Sequence, residues 1–135
     1  MTDNNALYEY RLNQAKTTLD DAEVMLKENI SPRSIINRAY YSAFYIVLAL
    51  FLKEGIQTRT SRHSGVIGIF DKEFILKGKI SKRCSQILHG LFDNRQEFDY
   101  KEFATVDQED AVKAVKDATE FVDTIFDYIN QQEKS

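Results

Sequence analysis

Apolar residues recur at helical spacing along most of the chain. Ala15, Leu19, Ala22 and Leu26 stand at intervals of four, three and four, which predicts a helix from about Asn5 to Glu28 with one face toward a core. Asn29-Ile30-Ser31-Pro32 breaks that pattern. Ser31 is placed to cap a second helix and Pro32 to occupy its first position, where a missing amide hydrogen costs nothing. That helix should stop at Gly55, the residue that most easily takes a left-handed C-terminal cap. The stretch Ala39–Leu52 is apolar on nearly every side, so it is expected to be the central helix, covered by neighbours. After a polar loop, Ser61 is a candidate cap for a shorter helix carrying Val66, Ile67, Phe70 and Phe74 and ending at Gly78. Ser81 is placed to cap the next, whose apolar face is Ile87, Leu88, Leu91 and Phe92 and which ends in the segment Arg95–Tyr100. Asp107 opens the last helix, with Asp110 three residues on in an echo of a capping box. Ala111, Val115, Ala118, Val122, Ile125 and Ile129 follow at four, three, four, three and four, the cleanest amphipathic signal in the chain. With no alternating strand pattern, repeat, low-complexity segment or linker, residues 1–135 are expected to form one domain. It reads as an all-α up-and-down bundle of four to five helices.

Composition agrees with this and narrows the setting. A chain of 135 residues is long enough to bury a core without disulfides or metals, and its 5 glycines and 1 proline favour long helices. Cys84 is the single cysteine, which excludes an internal disulfide and a cysteine-based zinc site and suits a reducing cytoplasm. The polar segment Met1–Asn5 does not read as a signal peptide. The longest apolar run, Ala43–Leu52, has 10 residues, against about 20 needed to cross a bilayer. A net charge of −3 argues against coating nucleic acid through bulk electrostatics. The charge is uneven, however: residues 53–83 carry eight Lys or Arg against three Asp or Glu, and residues 97–135 carry four against eleven. The basic middle suits phosphates and the acidic end a basic partner, although such runs are usually solvated faces.

Three blocks carry a resemblance. They are Asn37-Arg38-Ala39-Tyr40-Tyr41-Ser42-Ala43-Phe44, then Thr60-Ser61-Arg62-His63-Ser64-Gly65-Val66-Ile67, then Leu91-Phe92-Asp93-Asn94-Arg95-Gln96-Glu97-Phe98-Asp99-Tyr100. In this order, and over nearly the whole chain, the sequence resembles the HEPN family (higher eukaryotes and prokaryotes nucleotide-binding), in particular its small stand-alone prokaryotic proteins. The resemblance implies a bundle of four or five helices that pairs through a two-fold interface. In many members that interface brings together two copies of an arginine followed, four to six residues later, by a histidine. Those members cleave RNA without a metal and often act as toxins beside a minimal nucleotidyltransferase antitoxin, whereas others lack nuclease activity and serve as the transferase's binding partners or substrates. Arg95 matches the arginine, but Tyr100 stands where the histidine would be expected. The only histidines, His63 and His89, both precede Arg95.

The chemistry of that departure is readable from the residues. Metal-free RNA cleavage needs a base for the 2′-hydroxyl and a cation for the charge growing on phosphate. The Arg95 guanidinium suits the second role, since it stays charged and presents parallel donors. Tyr100 suits the first role badly, since an ordinary phenol is almost wholly protonated at neutral pH. Asp99 is an alternative base, or a partner for Arg95 one helical turn away. A tyrosine here is also a candidate acceptor of a nucleotidyl group from the partner transferase, as the resemblance implies for some relatives. Arg38 and Tyr41 are candidates for the same cleft, or Arg38 simply satisfies a neighbour; Tyr41 and Tyr45 lie one turn apart. His63, near a helix start, is a candidate phosphate ligand or a solvated capping donor, and His89 reads as a packing residue. No spaced metal-ligand set, glycine-rich phosphate loop or nucleophile elbow is present, so neither metal nor cofactor is expected. The leading expectation is a cytoplasmic homodimer that works with a minimal nucleotidyltransferase and binds nucleotide or RNA at a cleft containing Arg95. An active metal-independent endoribonuclease toxin, with Asp99 or Tyr100 replacing the histidine, is the alternative, and a non-catalytic helical scaffold the third.

Overall fold

The computed structural model describes residues 2–58, 62–100 and 106–134, with side chains at 4–58, 62–96 and 106–132. Within them lie five α-helices and no strand: α1 (Thr2–Lys27), α2 (Pro32–Glu54), α3 (His63–Phe70), α4 (Lys82–Tyr100) and α5 (Gln108–Lys134). The expected all-α bundle is therefore what the chain forms. α2 packs against α1, α4 and α5 and is its central member.

Local chemistry sets the boundaries. Asn29 takes a left-handed conformation at the end of α1 (φ 56°), and the Ile30 amide returns to the Met25 carbonyl at 3.0 Å. Pro32 opens α2 as expected, but the Ser31 side chain makes no capping hydrogen bond. It is the Ser31 carbonyl that enters the helix, accepting from the Ile35 amide at 3.1 Å. Gly55 (φ 70°) closes α2, and the amides of Gly55 and Ile56 turn back onto the Leu52 and Phe51 carbonyls. At the start of α5 the Asp107 amide donates to Asp110 Oδ2 and the Asp110 amide to Asp107 Oδ1, each at 3.1 Å. This is a reciprocal capping box built from two aspartates.

The core follows the predicted stripes and is wider than they are. All six positions of the α5 stripe are buried, and Ala114 and Phe121 join them. The α1 positions Ala15, Leu19 and Ala22 are buried too. α2 is long and apolar enough to cross a membrane by length and composition, yet 67% of its most apolar window is buried inside the bundle. Packing against its neighbours accounts for its greasiness. Each fully buried large side chain, such as Ile36, Leu50 or Phe70, contributes roughly 1.5–3 kcal/mol of transfer free energy.

One element departs from expectation. The helix beginning at His63 does not continue in α form to Gly78; at Asp71 it widens into a π-helical turn, Asp71–Ile75, with the Leu76 amide bonded to the Asp71 carbonyl at 2.9 Å. Phe70 and Phe74 are both buried, and the Phe74 ring lies nearly parallel to that of Phe51, 6.3 Å away. The expected cap of this helix, Ser61, lies outside the described residues. Arg62, in extended conformation, is the residue that precedes α3.

Candidate functional site

α2, the first turn of α3 and the C-terminal half of α4 converge on one cleft. α2 supplies the aromatic wall. Tyr40 and Phe44, four residues apart, face inward, while Tyr41 and Tyr45 form a second, half-buried row with ring centroids 5.7 Å apart. Tyr40 is fully buried. Its hydroxyl lies 2.8 Å from Nδ1 of His63, the first residue of α3. The imidazole stacks on Phe44 with centroids 4.1 Å apart and planes within 24°, and meets the edge of Tyr41 at 5.6 Å. His63 is therefore built into the aromatic wall and is not the solvated turn residue that its polar neighbours suggested.

Arg95 arrives from α4. Its guanidinium carbon lies 5.5 Å from the Tyr40 ring centroid and 5.4 Å from that of Tyr41, within the range of cation–π attraction, and Nη2 donates to the Tyr41 hydroxyl at 3.3 Å. Tyr41, Arg62, His63, Ser64, Arg95 and Gln96 line an open cleft of about 360 Å³. The electrostatics follow from burial and from Arg95. Burial pushes the Tyr40 phenol well above its ordinary range, against the opposing pull of the Arg95 charge. Burial, and then the same guanidinium, hold the His63 imidazole below its usual value. Near neutral pH the cleft thus presents a permanent cation, a neutral imidazole and a protonated phenol. These groups are suited to hold an anion, and aromatic edges are at hand for a base or sugar.

Of the residues singled out in the sequence, the fold brings Arg95, Tyr41 and His63 together. Arg38 does not line this cleft; it is exposed and borders a separate depression of about 430 Å³ with Arg33, Ser34 and Asn37. α4 remains helical through Tyr100, but the side chains of Asp99 and Tyr100 lie outside the described residues. His89, expected to pack, is instead half exposed and donates from Nε2 to Asp71 Oδ2 at 2.6 Å, while Ser85, one turn earlier, donates to Asp71 Oδ1 at 2.8 Å. The two donors tie α4 to the π-helical turn. From the basic middle of the chain Arg62 reaches the cleft; Lys77 pairs with Glu73, and Arg83 with Glu120 and Asp117. Tyr40, Phe44 and Gln96 are site residues that sequence reasoning did not select. Among the described residues no group of three or more His, Cys, Asp or Glu is arranged to hold a metal ion.

This geometry, with an arginine and a histidine facing one another across aromatic rings in an all-helical bundle, agrees with a family match. The model of the HEPN domain matches residues 8–129. The chain belongs to the HEPN family. A HEPN-family assignment also fits its relatives. The "UPF0332 protein" of Thermotoga maritima is 35% identical over 125 residues, covering 93% of this chain and 92% of that one. A Methanocaldococcus jannaschii protein bearing the name "Putative toxin" is 31% identical over 114 residues, 82% of this chain and 80% of that one. A "UPF0332 protein" of Archaeoglobus fulgidus is 29% identical over 123 residues, 91% and 95% of the two chains. In this HEPN domain the imidazole of the Arg95 cleft comes from outside the segment that follows the arginine. His63 reaches the same cleft from α3.

Proposed function

We propose that this HEPN protein acts in a toxin-antitoxin-like pair with a minimal nucleotidyltransferase, and that it binds the phosphate of RNA or of a nucleotide in the cleft of Arg95, His63 and Tyr41. The observation that carries the reading is the placement of Arg95 beside a neutral imidazole in an aromatic-walled cleft open to solvent. A guanidinium offers paired donors to phosphate oxygens, and the half-buried Tyr41 ring on the cleft wall suits an unstacked base. The names of relatives support the toxin-like role. The transferase partner, the cytoplasmic setting and a homodimer closing over the cleft come from the family resemblance and belong to the same proposal.

A second reading has its own support. Because α4 stays helical through Tyr100, Asp99 stands one turn beyond Arg95 with Tyr100 next to it, and a metal-independent endoribonuclease toxin would need one of the two as its base. One experiment tests both: the purified protein is incubated with mixed tRNA and messenger RNA in the presence of EDTA, and binding and cleavage are followed for the wild type and for Arg95→Ala. Binding without cleavage, weakened steeply by salt and lost in the variant, is the expected result. Cleavage that disappears in the variant would establish the nuclease, and no binding in either would sink the phosphate-site reading.

A further inference from the structure

Tyr40 is a phenol with no exposed surface in a bundle whose core is otherwise almost wholly apolar. A buried hydroxyl must place its proton somewhere, because leaving it unmade costs more than the bond is worth. The described partner is His63 Nδ1, at 2.8 Å, and donation from the phenol to that nitrogen gives the proton its place. An imidazole that accepts at Nδ1 and carries no positive charge must hold its one proton on Nε2. Phe44 fixes the plane of that ring by stacking at 4.1 Å, and Arg95 stands on the same cleft wall.

We infer that Tyr40 is a positioning residue that locks His63 in its Nε2–H tautomer, so that His63 presents a neutral hydrogen-bond donor to a phosphate oxygen beside the Arg95 guanidinium. The inference rests on the phosphate-binding reading above and deepens it. His63 is a second anion ligand and not a base, since Nδ1 is engaged by Tyr40 and Nε2 already holds a proton. Any proton removed from a ribose hydroxyl must go elsewhere. The site's charge is also simple: the positive charge next to the ligand comes from arginine, and the histidine contributes direction without charge.

The test is nitrogen-15 NMR of the uniformly labelled full chain, with the His63 ring assigned by its loss in His63→Gln. In the wild type, ring nitrogen shifts of the Nε2–H form are expected, moving on addition of inorganic phosphate or a short single-stranded oligoribonucleotide. Tyr40→Phe, which keeps the ring and the packing, should release the ring to a mixture of tautomers. His63→Ala should weaken binding by about tenfold or more, the value of one hydrogen bond to a charged group. His63→Gln, whose amide nitrogen lies close to the place of Nε2, should recover most of it. An Nδ1–H ring in the wild type, or a Tyr40→Phe ring unchanged, overturns the inference and leaves the proposed function standing. So does ligand binding that leaves the His63 ring unmoved. Absence of any phosphate or RNA binding overturns the proposed function and the ligand role of His63 together, whatever tautomer the free protein shows.

Discussion

The two histidines of this chain make contacts at opposite ends of α3, His63 at its first residue and His89, from α4, at Asp71 just past its last. His63, at the start of α3, is stacked between aromatic rings and bonded to a buried phenol. His89, on α4, is 49% exposed in its side chain and reaches a surface carboxylate at the far end of that segment. Both link the α3 region to another helix. At His63 the partners are neutral and desolvated, so the ring's orientation is set by packing and its proton by one hydrogen bond. At His89 the partner is a carboxylate in contact with water, where screening and side-chain entropy hold a surface contact of this kind to roughly 0–1 kcal/mol. Environment, more than residue type, separates an imidazole built into an aromatic wall from a surface tether.

Substitutions that break this contrast should differ widely in size. The largest effect is expected for Phe44→Ala, which removes the ring beneath His63 from a nearly buried position. Denaturant unfolding should show a loss of about 3–5 kcal/mol, and a loss below about 1 kcal/mol would refute the packing of the cleft wall. Next comes Arg95→Ala. RNA or phosphate affinity should fall by at least about tenfold, measured by fluorescence anisotropy, while Arg83→Ala, whose guanidinium is exposed and paired with Glu120 and Asp117, should leave affinity unchanged.

A pH series sharpens the comparison further. Burial and Arg95 lower the folded-state pKa of His63, so below the unfolded value of about 6.5 the unfolded chain takes up a proton that the folded chain refuses. The stability contributed by the neutral ring is present above that value and is lost as pH falls through the folded pKa. Melting temperatures followed from pH 7 down to pH 5 should therefore decline more steeply in the wild type than in His63→Gln. Equal slopes would count against a desolvated His63. The smallest effect is expected at the tether: His89→Ala should cost under about 1 kcal/mol and leave RNA binding as it was.

Much of the fold could be read from the sequence because local rules governed it. Pro32, Gly55 and the Asp107-Asp110 pair mark ends that short-range geometry decides, and the α5 stripe from Ala111 to Ile129 marks a face that periodicity decides. The π-helical turn at Asp71 was not legible, since a helix widens there as the large rings of Phe70 and Phe74 settle into a core built by other elements. The site was legible in part. Arg95, Tyr41 and His63 stood out as chemistry, but chain order gave no sign that α3 would carry His63 to the arginine. Arg38, three residues before Tyr41, was open to either a place in the same cleft or a structural role, and it borders another depression. Tyr40 and Tyr41 look alike in sequence; only the packing of α2 decides which ring is swallowed by the core and which faces the cleft.

Tyr40 consequently answers to two constraints at once. It fills volume at the centre of the bundle and it sets the protonation pattern of His63, so neither position is free to drift alone. A lineage that exchanged His63 for a residue with nothing to accept would strand a hydroxyl in the core, and phenylalanine at position 40 would then become the favoured replacement. Paired substitution at 40 and 63 should accordingly leave a covariation signal across related sequences, by which descendants that kept the cleft would be told from those that kept only the scaffold.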